Sequence, residues 1–96
     1  MEKVILSEAK EFESKAFKIV VYQLSGAKLL ELAPKVSEFE KLQNSKDLEK
    51  VVTACMELVF EIIKEDNPTI TVADLLKNVS LSGAVKIVHT AMGATL

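Results

Sequence analysis

Apolar residues in the stretch 47–65 fall at Leu48, Val51, Val52, Cys55, Leu58, Val59, Ile62 and Ile63. That i, i+3, i+4, i+7 recurrence predicts an amphipathic helix. Ser45 or Asp47 can cap its start, because a side-chain oxygen there accepts from an orphan backbone N–H. Asn67-Pro68 sets its end, since the residue before a proline is pushed out of the helical region. At about 18 residues this helix spans ~27 Å, the width of a small domain. It is the expected centre of the fold, with Leu58 and Ile62 facing the core.

A second stripe precedes it between Ser25 and about Gln43, with Leu29, Leu32, Val36 and Phe39 at helical spacing and Leu30 and Leu42 widening it. Pro34 falls inside this run and is expected to kink the helix or divide it near Ala33, because it removes a backbone donor and crowds the preceding turn. Asn44-Ser45-Lys46 is too short a linker for anything but an antiparallel neighbour. After the central helix, Thr71-Val72-Ala73-Asp74 has the form of a capping box. It predicts a short helix from Val72 to about Lys77, broken by Asn78-Val79-Ser80. A last helix runs from about Ser82 to Met92, with Val85, Val88 and Met92 on one face, and Gly93 is placed to end it in a left-handed turn. Leu24-Ser25-Gly26-Ala27 recurs as Leu81-Ser82-Gly83-Ala84. Each copy suits a helix start, with Ser as cap.

The first 24 residues fit two patterns. A helix from Ser7 to Leu24 would align Phe12, Ala16, Val20 and Leu24. The β-branched and aromatic run Ile19-Val20-Val21-Tyr22 favours a strand instead. Phe17, Ile19 and Val21 alternate, as do Phe12, Ser14 and Ala16, but the two sets are out of phase. The hairpin reading pairs Val4-Ile5-Leu6 with part of Phe17 to Tyr22, although no Asn-Gly or Asp-Gly turn is present to close it. The expected fold class is therefore mainly α: one domain over 1–96, a small bundle of about four helices with a short N-terminal β-hairpin.

Composition narrows the chemistry. Ninety-six residues fit one domain. Hydrophobic residues make up 49% and the net charge is −2, while the chain holds one histidine, one cysteine, no tryptophan and no arginine. The arginine fork that reads phosphates and base edges is missing, which argues against nucleic-acid binding. No acid, base and nucleophile can be named together, so no catalytic, cofactor or metal site is expected. Apolar runs are quartets, far short of the ~20 residues of a membrane span. The N-terminus lacks a signal pattern, so a cytoplasmic location in a bacterial host is expected.

Other candidate features read more simply. Cys55 sits among Val51, Val52, Leu58 and Val59, and reads as an inert buried hydrophobe. Ser7 to Lys10 and Ser25 to Lys28 match Ser-x-x-Lys, best read as capping serines with solvated lysines. His89 has no partners at metal-ligand spacing. Glu57, Glu61 and Glu65 form an acidic ladder, expected on a solvated face, with a lysine-bearing partner as the alternative. The segment from Val72 to Ile87 has the outline of a helix-turn-helix. Its second helix would offer only Ser82, Lys86 and His89, so a DNA-binding or regulatory domain is the alternative function.

The layout as a whole resembles the small tail assembly chaperones of long-tailed bacteriophages and prophages. The resemblance rests on a β-prone start ending in Leu24-Ser25, then Ala27-Lys28-Leu29-Leu30-Glu31-Leu32-Ala33-Pro34-Lys35 and a long aliphatic helix. Asn67-Pro68-Thr69-Ile70-Thr71-Val72-Ala73-Asp74-Leu75 and a closing helix ending Ala91-Met92-Gly93 complete it. It implies a non-enzymatic protein that coats the hydrophobic tape-measure protein, alongside other tail proteins, before the tail tube polymerises, and that self-associates. The apolar arc of the last two helices is wider than one contact needs. Leu75 and Leu76 point to different sides, and Ile87 falls off the stripe of Val85, Val88 and Met92. Leu75, Leu76, Leu81, Ile87 and Met92 are therefore the candidate partner-binding residues, in a homo-oligomer assembled through Thr71 to Met92 with Ile87 and Leu76 facing outward.

Overall fold

The computed structural model describes residues 9–93. In order the elements are β1 (Ala9–Glu13), β2 (Lys18–Tyr22), α1 (Gly26–Leu42), α2 (Leu48–Ile63), α3 (Val72–Asn78) and α4 (Leu81–Ala91). This is the small, mainly α bundle with an antiparallel hairpin that the hydrophobic pattern predicts. α2 is the hub: α1, α3, α4 and β2 all pack against it.

The reason lies in its stripe. Val51, Cys55, Met56, Leu58, Val59, Ile62 and Ile63 are buried, and each fully buried aliphatic side chain contributes about 1.5–3 kcal/mol. Leu48 departs from the expected stripe and stays 66% exposed. It is the first residue of the helix, beyond the reach of the elements that cover the rest. Asp47 is the N-cap, its carboxylate accepting from the Lys50 N–H at 3.3 Å. The helix ends at Ile63, two residues earlier than the sequence suggests. The Ile63 carbonyl accepts from the Asp66 N–H at 3.2 Å and the Asn67 N–H at 2.9 Å and from Asn67 Nδ2 at 3.0 Å, so a tightened last turn ends on the Asn67 side chain ahead of Pro68.

α1 runs unbroken through Pro34, so of the two expected outcomes, a kink or a division near Ala33, the division does not occur. The carbonyl that proline leaves without a donor belongs to Leu30, which is 79% exposed. Water can satisfy it there, so the helix has no need to break. Leu32 and Phe39 are its buried residues.

The N-terminal segment is a hairpin, but not the one expected. β2 pairs with Ala9–Glu13 in the register Ala9↔Tyr22, Lys10↔Val21, Glu11↔Val20, Phe12↔Ile19 and Glu13↔Lys18. Val4-Ile5-Leu6 lie outside the described residues. The connection is closed by a hydroxyl in place of an Asn-Gly turn. Ser14 Oγ accepts from the N–H groups of Ala16 at 3.3 Å and Phe17 at 3.1 Å, and it donates to the Phe17 carbonyl at 3.0 Å. Ile19 and Val21 enter the core, and the Leu24 N–H donates to the Ala91 carbonyl at 2.8 Å. The hairpin is thereby tied to the end of α4.

Asn67 makes a second tie. Its side-chain Oδ1 accepts from the Val20 N–H at 3.0 Å and its Nδ2 donates to the Val20 carbonyl at 2.8 Å. The carboxamide thus stands in for a neighbouring strand along β2. It is the buried polar side chain among the described residues, and it has its hydrogen bonds filled, as a buried polar group must to avoid a desolvation penalty.

Candidate partner-binding surface

The α3–α4 segment is locked in place before it can present anything. Thr71 and Asp74 form the full capping box the sequence predicts: Thr71 Oγ1 accepts from the Asp74 N–H at 3.1 Å, and the Asp74 carboxylate from the Thr71 N–H at 2.9 Å. α4 begins earlier than expected. Its cap is Ser80, whose Oγ accepts from the Gly83 N–H at 3.1 Å. Ser82 is therefore inside the helix, and the two Leu-Ser-Gly-Ala copies are not equivalent. Ser25 caps α1 through the Lys28 N–H at 3.3 Å. Gly93 does end α4 with φ +72°.

The caps fix where each helix begins, and packing on α2 and β2 sets which face turns inward and with it the fate of the five candidate residues. Leu75 is fully buried and Ile87 is 2% exposed. Both belong to the core beside Leu58, Val59 and Val88, so the expectation that Ile87 faces outward is corrected. With Ser80 as the cap, Ala84, Ile87, Val88 and Ala91 form the inward face. Val85, which the sequence places on the buried stripe, is only half-buried. Leu81 is half-buried and packs against the core edge. Leu76 at 49% and Met92 at 38% exposure are the candidates left on the surface.

Two concavities flank this segment and the helix pair. One, of about 490 Å³, lies between the hairpin and the α3–α4 junction, with Phe12, Ile19, Val79, Gly83 and Ile87 in its lining and Glu13 and Lys15 at its rim. The other, of about 610 Å³, lies between α1 and α2, with Glu38, Asp47, Glu49, Lys50 and Glu57 in its walls beside Leu42 and Ala54.

The remaining polar features resolve into structure. The acidic ladder is only partly solvated, because α1 supplies its lysines. Lys28 Nζ lies 3.6 Å from Glu65 and Lys35 Nζ lies 3.8 Å from Glu61. Lys64 donates to Glu61 at 2.7 Å, and that bond is the main cause holding the Glu61 carboxyl below its usual pKa. The cross-helix pairs escaped the sequence reading because nothing in either stripe states which lysine meets which glutamate. The register of two antiparallel helices, however, would have suggested it. Burial pushes the Cys55 thiol up to about 11, which leaves it protonated and shielded at neutral pH. Ser82, Lys86 and His89 occupy the exposed side of α4. α3 and α4 both pack chiefly on α2 and little on each other. Among the described residues, no helix is long and apolar enough to cross a membrane.

No family model, characterised protein or solved structure matches the chain.

Proposed function

We propose that this chain is a non-enzymatic tail assembly chaperone that shields an apolar, helical tape-measure protein and assembles with copies of itself. The observation that carries the reading is an aliphatic surplus the core does not absorb. Leu30, Leu48 and Leu76 on three helices and Met92 at the C-cap of α4 remain 38–79% exposed, although the interior is already filled by aliphatic side chains from every helix and from β2. Surface aliphatic residues presented from several helices suit repeated weak contacts along an apolar client helix. The lysine and glutamate side chains between them keep the assembly in solution. The element order also supports the reading. A hairpin leads into an Ala-Pro-Lys helix, and a long aliphatic helix is followed by the Asn67 turn, the Thr71–Asp74 cap and a closing helix.

The test is co-sedimentation of the purified chain with an apolar helical segment of a tape-measure protein. Leu76→Lys should weaken both client binding and self-association while far-UV circular dichroism stays unchanged. A strict monomer at several hundred micromolar that ignores the client would remove the reading, and steeply salt-dependent binding to random duplex DNA would favour the DNA-binding alternative.

A further inference from the structure

We propose that the outer edge of β1 docks an extended partner segment carrying a basic–apolar–basic triplet, which adds to the hairpin as a third strand. The two edges of this hairpin differ. The backbone N–H and C=O of Val20 turn away from β1, because Asn67 takes both. Glu11↔Val20 is therefore a pair without ladder bonds, and such pairs alternate with bonded ones along an antiparallel ladder. The bond from the Ser14 N–H to the Phe17 carbonyl, at 2.9 Å, falls where that alternation requires one. It follows that Ala9, Glu11 and Glu13 direct their N–H and C=O groups outward from β1. The edge of β2 is closed at its centre by the Asn67 carboxamide. The edge of β1 is open among the described residues, and β1 packs chiefly against β2.

Side chains define what fits. Directly paired residues share a face of the sheet. Glu11 and Glu13 therefore share the outer face with Val20 and Lys18, while Phe12 shares the inner face with the buried Ile19. Glu13 lies 3.8 Å from Lys18, whereas Glu11 makes no ion pair among the described residues. An added strand places two alternate residues opposite these glutamates, where lysine or arginine is favoured. The residue between them faces Phe12 and enters the 490 Å³ groove, whose floor includes Val79 and Ile87. Main-chain bonds then supply affinity and the alternating pockets supply choice. A second copy of β1 fits poorly. With outward groups only at odd positions, antiparallel self-pairing sets Glu11 against Glu11 or Glu13, or else Lys10 against Lys10, and like charges directly opposite are destabilising. The proposal does not depend on the chaperone reading.

The experiment titrates the ¹⁵N-labelled full chain with an acetylated, amidated nonapeptide of alternating Lys and Val. Amide shifts should centre on Ala9, Glu11, Glu13 and Val79, with hydrogen exchange at Glu11 slowed about tenfold. A Glu/Val peptide of the same length should bind at least ~10-fold more weakly. Glu11→Pro removes an outward donor without touching the β1–β2 ladder, a position where an edge strand tolerates proline, and should abolish binding. Glu11→Lys, which leaves the backbone alone, should narrow or invert the preference between the peptides. Equal affinity for both peptides, shifts confined to the helices, indifference to both variants, or no shifts at millimolar peptide would each overturn the proposal. So would dimerisation of the free chain through β1, which would make a second copy the occupant.

Discussion

α1 and α4 are both amphipathic helices laid on α2, yet they are held in different ways. α4 has 11 residues, of which Ala84, Ile87, Val88 and Ala91 are buried, and it packs on both α2 and β2. Two small alanines on that face let its backbone approach closely. α1 has 17 residues and buries only Leu32 and Phe39. It packs chiefly on α2, and it adds the Lys28–Glu65 and Lys35–Glu61 ion pairs. The shorter helix is thus built into the core, while the longer one is a layer fastened to its outside. Length and apolar content do not rank the two; what matters is how many elements each touches.

The largest expected effect separates them directly. Ile87→Lys places an unpaired ammonium in the core, at a cost of several kcal/mol against a total stability of about 5–10 kcal/mol. The variant should lose its cooperative thermal transition, and Cys55 should become reactive to a thiol reagent under native conditions. In wild type that thiol is shielded and held protonated. Leu30→Lys on α1, by contrast, should leave the melt and the thiol unchanged. Equal behaviour of the two variants would break the comparison.

A smaller effect should come from the link between α2 and the hairpin. Asn67→Ala removes three side-chain hydrogen bonds and leaves the Val20 N–H and C=O without their partner, which costs about 2–3 kcal/mol. The midpoint of a urea titration should fall, and exchange at Val20 should rise more than exchange in α1. An unchanged midpoint would mean that water replaces the carboxamide and that the β2 edge is open as well.

The contrast between the helices was partly legible in the sequence. Four helices, the capping box at Thr71, the Gly93 stop and the burial of Cys55 follow from periodicity and cap chemistry, which are local. The rotation of α4 did not follow. The apparent stripe of Val85, Val88 and Met92 is as regular as the true one, and only packing against both α2 and β2 selects Ile87. The hairpin shows a signal that can be read in retrospect. Phe12 and Ile19 are out of phase along the chain, and that parity is what a two-residue loop at Lys15-Ala16 produces when both face the core. Asn67 as a strand mimic could not be seen, since it joins positions 47 residues apart. Nothing near Asn67 distinguishes it from an ordinary residue before proline. For the candidate surface, the sequence names five residues, of which Leu76 and Met92 are exposed while Leu75 and Ile87 are buried, because the helix rotation is set by packing and not by the local pattern.

The smallest effect tests whether the ion pairs hold α1 at all. The Glu61 carboxyl lies below its usual pKa of 4.5, first through the hydrogen bond from Lys64 and then through the charges of Lys64, Lys35 and Lys28, with partial burial opposing them. A group whose pKa is lower in the folded state stabilises the fold above its unfolded value, and that contribution is lost as pH falls through the folded value. Lys64 lies just past α2, so only the lesser charges of Lys35 and Lys28 tie Glu61 to α1, and protonation below about pH 4.5 should loosen α1 only slightly. The glutamate is only partly covered and solvent screens it, so the effect is a modest bias, not a switch. It should appear in amide exchange of α1, corrected for intrinsic rates, as protection that declines below pH 4.5 while protection in α4 holds. Glu61→Gln should show the looser α1 already at neutral pH and lose that part of the pH dependence. If α1 and α4 lose protection in parallel, the outer layer is not separately fastened, and the apolar contacts of Leu32 and Phe39 alone set its place.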